Sequence, residues 1–232
     1  KKESIIKMFR TLLFDLDGTI IDSAPDVCES VNKTLKIMNR ATIKTEDVKL
    51  LVGYGARTLC QKALDITGKP GTKKEVEYLH EGFLKNYREN PCKKTSIFPG
   101  AMEVLKKFQK ENIKIGICTN KPEATCFPVL EALGLRNLFS SVICGDTLKF
   151  CKPDARHIYY ALDEMNADLK TTAFIGDSEA DIEAAKNAGI PCILVTFGYC
   201  LSPHESLGAN ALINHYSELE ETLRNIIASQ QN

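Results

Sequence analysis

Residues 11–19 read Thr-Leu-Leu-Phe-Asp-Leu-Asp-Gly-Thr, and the predicted fold begins from these nine residues. Its first half is a short apolar run, and a polar turn sequence with two carboxylates follows at once. A short unbroken apolar run of this kind predicts a strand that is buried on both faces of a parallel sheet. The carboxylates of Asp15 and Asp17 then lie where the first strand ends.

From Phe98 onward, apolar runs alternate with segments of helical spacing. The runs predict strands at residues 113–118, 141–144, 172–175 and 192–196. The segment from Asp181 to Ala188 has a helical pattern and stops at Gly189, a residue suited to the end of a helix. Strands that alternate with helices predict a parallel sheet covered by helices on both faces.

Between these two regions the pattern is helical throughout. Apolar residues recur at helical spacing, Pro25 suits the first turn of a helix, and no convincing strand is seen. The expected fold is therefore α/β: a doubly wound, Rossmann-like parallel sheet core with an inserted helical cap domain. The predicted core comprises residues 1–21 and 97–232, and the predicted cap comprises residues 22–96.

Composition excludes several classes of protein. The 232 residues carry 30 Lys and Arg against 30 Asp and Glu, so the chain lacks the positive excess of most nucleic-acid-binding proteins. Its longest apolar run is far shorter than the ~18 residues of a membrane span. Lys7 and Arg10 interrupt the first apolar residues of the chain, whereas a signal peptide has an uninterrupted apolar stretch. The nine cysteines fit no disulfide framework, which predicts a reducing, cytoplasmic location.

Polar side chains collect at the predicted strand ends. Asp15 and Asp17 follow the first strand, Thr119 and Asn120 follow the second, and Asp177 follows the fourth. Lys152 lies in the loop after the third strand. Ligands of open parallel sheets bind at the carboxyl ends of the strands, so these groups are expected to converge.

Converging carboxylates repel one another unless a cation joins them, and oxygen ligands without His or Cys suit Mg²⁺. Lysine, hydroxyl and amide groups beside such a site can hold the other oxygens of a phosphoryl group. Asp15 could attack phosphorus to form an aspartyl-phosphate, and Asp17 could protonate the leaving alcohol.

Four ordered motifs resemble those of the haloacid dehalogenase superfamily. They are Asp15-Leu-Asp-Gly-Thr19, Cys118-Thr-Asn120, Lys152-Pro153 and Gly176-Asp-Ser-Glu-Ala-Asp181. Within that superfamily the chain is most similar to the bacterial phosphoglycolate phosphatases, through phrases such as Val52-Gly-Tyr-Gly-Ala-Arg-Thr-Leu59 and Phe98-Pro-Gly-Ala101. Ala155 departs from the family pattern, which often has a second proline there.

The resemblance implies a role for each matched residue. Asp15 is implied as nucleophile and metal ligand, and Asp17 as acid/base and as a ligand through its carbonyl oxygen. Asp177 is implied as a metal ligand, and Asp181 as a ligand through water or as the residue that orients Lys152. The residues expected to bind substrate are Gly18, Arg57, Thr119, Asn120 and Lys152. Arg57 either reaches a substrate carboxylate or is a surface charge.

The expected function is Mg²⁺-dependent hydrolysis of a small anionic phosphate ester such as 2-phosphoglycolate, by a monomer or homodimer. A sugar phosphomutase is the nearest alternative, because it uses the same core chemistry but returns the phosphoryl group to its substrate. A haloacid dehalogenase needs neither Asp17 nor a metal. A non-catalytic phosphate-binding module, such as a receiver domain, is usually about half this length.

Overall fold

The computed structural model of the chain describes residues 9–200 and 202–230, the last four of these by their backbone alone. Lys7 and the outer ends of the predicted core, residues 1–8 and 231–232, therefore lie outside the described residues. The strands are β1 (Thr11–Phe14), β2 (Ile21–Asp22), β3 (Ser96–Ile97), β4 (Lys114–Cys118), β5 (Ser141–Ile143), β6 (Thr172–Gly176), β7 (Cys192–Val195) and β8 (Ala211–Ile213). The helices are α1 (Ala24–Ile37), α2 (Thr45–Leu51), α3 (Ala56–Ile66), α4 (Lys73–Glu89), α5 (Ala101–Lys110), α6 (Glu123–Ala132), α7 (Ala155–Glu164), α8 (Glu179–Ala188) and α9 (Leu219–Gln230).

Six strands form one parallel sheet in the order β5-β4-β1-β6-β7-β8. The strand β1 lies in the middle, with β4 on one side and β6 on the other, so the sheet order reverses around it. Leu12 and Phe14 point into one apolar cluster, and Leu13 points into the other. The apolar run at the start of the chain is therefore buried on both faces, and the predicted doubly wound α/β class is confirmed.

In the sequence, the helices α1 to α4 lie between β1 and β4, two strands that are neighbours in this sheet. The helix α1 packs against α2 and α4, and α3 packs against α4. Pro25 lies in the first turn of α1, as expected. The chain enters and leaves this helical segment through β2 and β3, which pair antiparallel with Ile21 opposite Ile97.

Three strands were not expected. The short strands β2 and β3 border the helical segment, and β8 forms the edge of the main sheet. The residues of β8 are half-buried at Ala211 and Leu212, so the run has neither the length nor the continuous burial that reveals a central strand. None of the described helices combines the length and the apolar character that a membrane span requires.

Candidate active site

Four neighbouring strands bring the predicted site residues to one edge of the sheet. Asp15 follows β1 and extends its pairing with β6, because its amide donates to the carbonyl of Ile175 at 2.9 Å. Thr119 follows β4, and its amide donates to the carbonyl of Ile143 at 2.9 Å. Lys152 lies in the loop that follows β5, Asp177 directly follows β6, and Asp181 lies in the first turn of α8. The convergence of the four motifs is thus a consequence of the strand order.

Lys152 lies between two buried carboxylates at this edge. Its Nζ is 2.8 Å from Asp15 Oδ1 and 2.6 Å from Asp181 Oδ1. The second oxygen of Asp181, Oδ2, accepts hydrogen bonds from the backbone amides of Asp177 and Ser178 and from the Ser178 hydroxyl. Both oxygens of Asp181 are therefore engaged at the start of α8, and one of them holds the Lys152 ammonium.

Asp177 is held from two sides. Its Oδ1 accepts from the Thr19 hydroxyl at 3.0 Å, and its Oδ2 accepts from the backbone amide of Tyr199 at 2.8 Å. Gly18 lies directly against this carboxylate with φ +84°, and a Cβ there would be 2.3 Å from Asp177 Oδ2. The structure thus gives Gly18 a steric reason to be glycine, since any side chain would displace Asp177.

The buried carboxylates have the electrostatics of a cation site. Ligand atoms of Asp15, Asp177 and Asp181 all lie within 4.8 Å of one another. Burial raises the pKa of Asp15 to about 6, with Lys152 opposing the rise and Asp181 adding to it. Burial and the charges of Asp181 and Asp15 likewise raise the pKa of Asp177 above its ordinary value. These three carboxylates, two of them paired with the ammonium of Lys152, leave an excess of negative charge that a divalent cation with oxygen ligands would balance.

Asp17 has a separate set of partners. Its carboxylate accepts hydrogen bonds from the Ser23 hydroxyl and from Lys121, whose Nζ is 3.2 Å from Oδ1 and 3.1 Å from Oδ2. The same ammonium donates to the Tyr87 hydroxyl at 3.2 Å. Burial alone would lower the pKa of Lys121, but the Asp17 carboxylate and the Tyr87 hydroxyl raise it above its ordinary value.

Thr119 and Asn120 are both buried beside Asp15. The amide nitrogen of Asn120 donates to two carbonyl oxygens, at 2.8 Å from Gly53 and at 3.0 Å from Lys152. Asn120 therefore ties the loop between α2 and α3 to the Lys152 loop. Its Oδ1 is buried and accepts no hydrogen bond from the described residues.

A pocket opens above Asp15 and Asp17. Its walls combine residues that follow β4, including Thr119 and Lys121, with residues of the helical segment. The contribution of that segment is apolar side chains and glycine backbone: Val27, Val52, Gly53, Gly55, Ala56, Leu59 and Phe83.

Arg57 is not brought to this pocket. Its guanidinium forms an ion pair with Glu77 of α4, and its side chain is 63% exposed. Arg57 lies in the first turn of α3, where its side chain points toward α4 and not toward the sheet. Of the two interpretations of Arg57, the structure agrees with the surface charge.

Lys121 and Tyr87 are among the site residues that sequence reasoning missed. The signal for Lys121 was its position two residues beyond Thr119, directly after a buried strand, where a lysine side chain reaches the same edge of the sheet. Tyr87 gave no such signal, because only the folded chain brings α4 to Lys121.

Comparisons with known proteins agree with this geometry. A family model described as haloacid dehalogenase-like hydrolase matches residues 12–195. The phosphoglycolate phosphatase of Agrobacterium fabrum is 36% identical over 211 residues, which covers 91% of each chain. That of Colwellia psychrerythraea is 39% identical over 193 residues, which covers 81% of this chain and 84% of the relative. A crystal structure of a predicted phosphoglycolate phosphatase from Haemophilus somnus superposes with a TM-score of 0.87 at 31% identity, and covers 92% of this chain and 97% of that one. The chain therefore belongs to the haloacid dehalogenase-like hydrolase family, and within it the chain is a phosphatase.

Proposed function

We propose that this phosphatase hydrolyses 2-phosphoglycolate to glycolate and phosphate, with Mg²⁺ and through an aspartyl-phosphate on Asp15. The observation that carries the proposal is the buried group of Asp15, Lys152 and Asp177, of which Asp15 lines a small pocket. The substrate assignment is supported by relatives at 34–39% identity that bear the name phosphoglycolate phosphatase.

Asp15 is the proposed nucleophile. One of its oxygens forms a bond to phosphorus while the bond from phosphorus to the glycolate oxygen breaks, and the electron pair of that bond goes to the leaving oxygen. Lys152, 2.8 Å from Asp15 Oδ1, is placed to keep Asp15 ionised and to bind a phosphoryl oxygen. Asp181 orients Lys152, and the Thr119 hydroxyl binds a second phosphoryl oxygen.

Asp17 is the proposed acid and base. It gives a proton to the leaving oxygen in the first step and takes a proton from the attacking water in the second. Its carboxylate lines the same pocket as Asp15, two residues along the chain, which suits transfer to a group bound at Asp15.

The metal would be held by Asp15, Asp177 and the backbone carbonyl of Asp17. When bound, Mg²⁺ supplies positive charge that offsets the negative charge of the phosphoryl group. The buried carboxylates fit Mg²⁺, because burial and their mutual repulsion disfavour the ionised forms and so raise their pKa values. A bound cation would offset this cost of ionisation.

Residues 22–96 form the proposed cap. Their apolar side chains cover the pocket at the Asp17 side, where they exclude water from the leaving group. The small, mostly apolar wall leaves room for a short leaving alcohol, which supports a small substrate. All nine cysteines are free, which supports the proposed cytoplasmic location. A monomer or a homodimer is the proposed assembly.

The test is release of phosphate from a panel of small phosphate esters, with Mg²⁺ and with excess chelator. We expect 2-phosphoglycolate to be preferred, and its hydrolysis to stop in chelator and to return with added Mg²⁺. Broad metal-dependent hydrolysis without that preference would contradict the substrate assignment alone. An isomerised sugar phosphate in place of free phosphate would favour the mutase, and activity that survives chelator would contradict the metal requirement.

A further inference from the structure

A buried tyrosine from the helical segment contacts the ammonium that holds Asp17. Tyr87 belongs to α4 and is fully buried, and its hydroxyl lies 3.2 Å from Lys121 Nζ. Its ring also lies under the same ammonium, with 4.5 Å between Nζ and the ring centroid. Phe83, one turn earlier, packs against the ring at 5.7 Å between centroids. The position of the Lys121 ammonium is thus set by a rigid aromatic side chain.

The three donors of this ammonium match the acceptors around it. Lys121 faces both oxygens of Asp17 and the oxygen of Tyr87, and its side chain is only 4% exposed. A buried ammonium with all its donors engaged has little freedom to move, because each lost hydrogen bond leaves a buried charge less well paired. The Asp17 carboxylate is consequently fixed between Lys121 and the Ser23 hydroxyl.

From this arrangement we infer that Tyr87 is a positioning residue for proton transfer to the leaving group, acting through Lys121 on Asp17. The inference rests on the proposed function, in which Asp17 gives its proton to the oxygen that leaves phosphorus. Tyr87 contacts neither Asp15 nor the phosphoryl site in this scheme. Its hydroxyl matters because it fixes the ammonium that fixes the acid.

A purely structural tyrosine would behave differently. A phenylalanine fills nearly the same space and keeps both the ring under Lys121 and the packing on Phe83. If the hydroxyl only fills space, Tyr87→Phe should leave catalysis unchanged. If it acts through Asp17, the loss should depend on how much the leaving group needs a proton.

Two small substrates separate these cases. The glycolate oxygen of 2-phosphoglycolate leaves as an alkoxide and requires protonation, whereas acetyl phosphate releases acetate, a stable anion that requires none. The ratio kcat/KM reports the steps up to formation of the phosphoenzyme, which is where Asp17 acts as an acid. The comparison uses the full chain with Mg²⁺, and Tyr78→Phe is the matched control because Tyr78 is an exposed tyrosine of the same helix.

We expect Tyr87→Phe to lower kcat/KM for 2-phosphoglycolate about tenfold, a part of the ~10²–10⁴-fold that general acid catalysis contributes. For acetyl phosphate the change should be less than about twofold, and Tyr78→Phe should change neither value. In an Asp17→Asn background, Tyr87→Phe should cause no further loss, since the acid on which it acts is absent.

Other results would overturn the inference. An equal loss on both substrates, or a loss on neither, would show that the hydroxyl does not act through the acid. An additive loss in the Asp17→Asn background would show the same, and a lowered melting temperature with an equal loss would assign Tyr87 to stability. If the wild-type chain hydrolyses neither substrate, the proposed function itself has failed, and this inference fails with it.

Discussion

Asp15 and Asp17 are two residues apart, but the fold gives them different surroundings. Asp15 shares a buried site with Lys152, Asp177 and Asp181. These partners suit an ionised Asp15 carboxylate and a bound metal ion. Asp17 instead accepts hydrogen bonds from Ser23 of the helical segment and from Lys121, which follows β4 and donates to Tyr87 of α4. Two chemically identical side chains can therefore take the roles of nucleophile and acid because of what each one touches.

The buried residue His157 predicts that the stability of the protein depends on pH. His157 of α7 is fully buried, and its Nε2 donates to the carbonyl oxygen of Cys144 at 3.0 Å. Its Nδ1 lies 3.2 Å from Cys118 Sγ and is then placed to accept the thiol proton. Burial, aided by the charge of Lys152, lowers the pKa of His157 from 6.5 to about 4. The imidazole is therefore neutral in the folded protein at pH values where it is charged in the unfolded chain.

The sign of the effect follows from proton binding. Below pH 6.5 the unfolded chain takes up a proton at this residue that the folded protein does not, until the pH reaches about 4. The free energy of unfolding should fall as the pH falls through this window, by up to about 3 kcal/mol from His157. Chemical denaturation at several pH values, for wild type and His157→Gln, measures this contribution. An identical slope in both proteins would contradict it.

At the scale of elements, the alternating pattern of strands and helices could be predicted because each central strand is a short buried run. The expected strand at 172–175 is observed at Thr172–Gly176, and that at 192–196 at Cys192–Val195. The strands β2 and β3 could not be predicted in this way, because two-residue strands have no periodicity and their pairing joins distant parts of the chain. The edge strand β8 could not be predicted from its local sequence either, because its residues are not continuously buried.

The close packing of α1 against α4 can be tested with one substitution. Gly82 lies within α4, where α1 approaches so closely that a Cβ would be 2.4 Å from Thr34 Oγ1 and 2.6 Å from Thr34 Cγ2. In an exposed helix, replacing glycine with alanine stabilises by about 1 kcal/mol. Here we expect Gly82→Ala to destabilise by about 1–2 kcal/mol, because the added methyl group overpacks the contact.

Thermal or denaturant unfolding measures this change. In a Thr34→Ala background, which removes the two nearest of the atoms that the methyl group would meet, Gly82→Ala should be neutral or stabilising. A stabilising effect of Gly82→Ala in the wild-type background would show that α1 and α4 are not packed this closely.

At the scale of the whole molecule, the site combines groups from the sheet edge with groups from the helical segment. The sheet-edge groups, among them Asp15, Thr119 and Lys152, could be predicted because strand ends of a parallel sheet share an edge. The contributions of Ser23 and Tyr87 could not, since they depend on how α1 and α4 pack over the sheet, whereas the position of Lys121 just beyond Thr119 was a signal in the sequence. The sequence likewise could not predict where the Arg57 side chain points, because the position of α3 in the folded chain determines it.

The helical segment is held to the sheet at its first connection, and its last residues are held to α1. Tyr199, in the loop after β7, accepts hydrogen bonds from the amides of Ser23 and Ala24, and its hydroxyl donates to Asp22. At the other connection, Asp26 of α1 accepts from the amides of Lys94 and Thr95. The pocket wall supplied by α1, α3 and α4 is thereby held in register with Asp15 and Asp17.

The central claim is that Asp15 is the nucleophile, and the most direct test is hydrolysis of 2-phosphoglycolate by Asp15→Asn with Mg²⁺. An amide nitrogen and oxygen in place of the carboxylate cannot form the aspartyl-phosphate, so we expect turnover to fall by at least about 10³-fold. Circular dichroism and melting temperature establish that the variant is folded. A folded Asp15→Asn chain that keeps the wild-type rate would contradict the account.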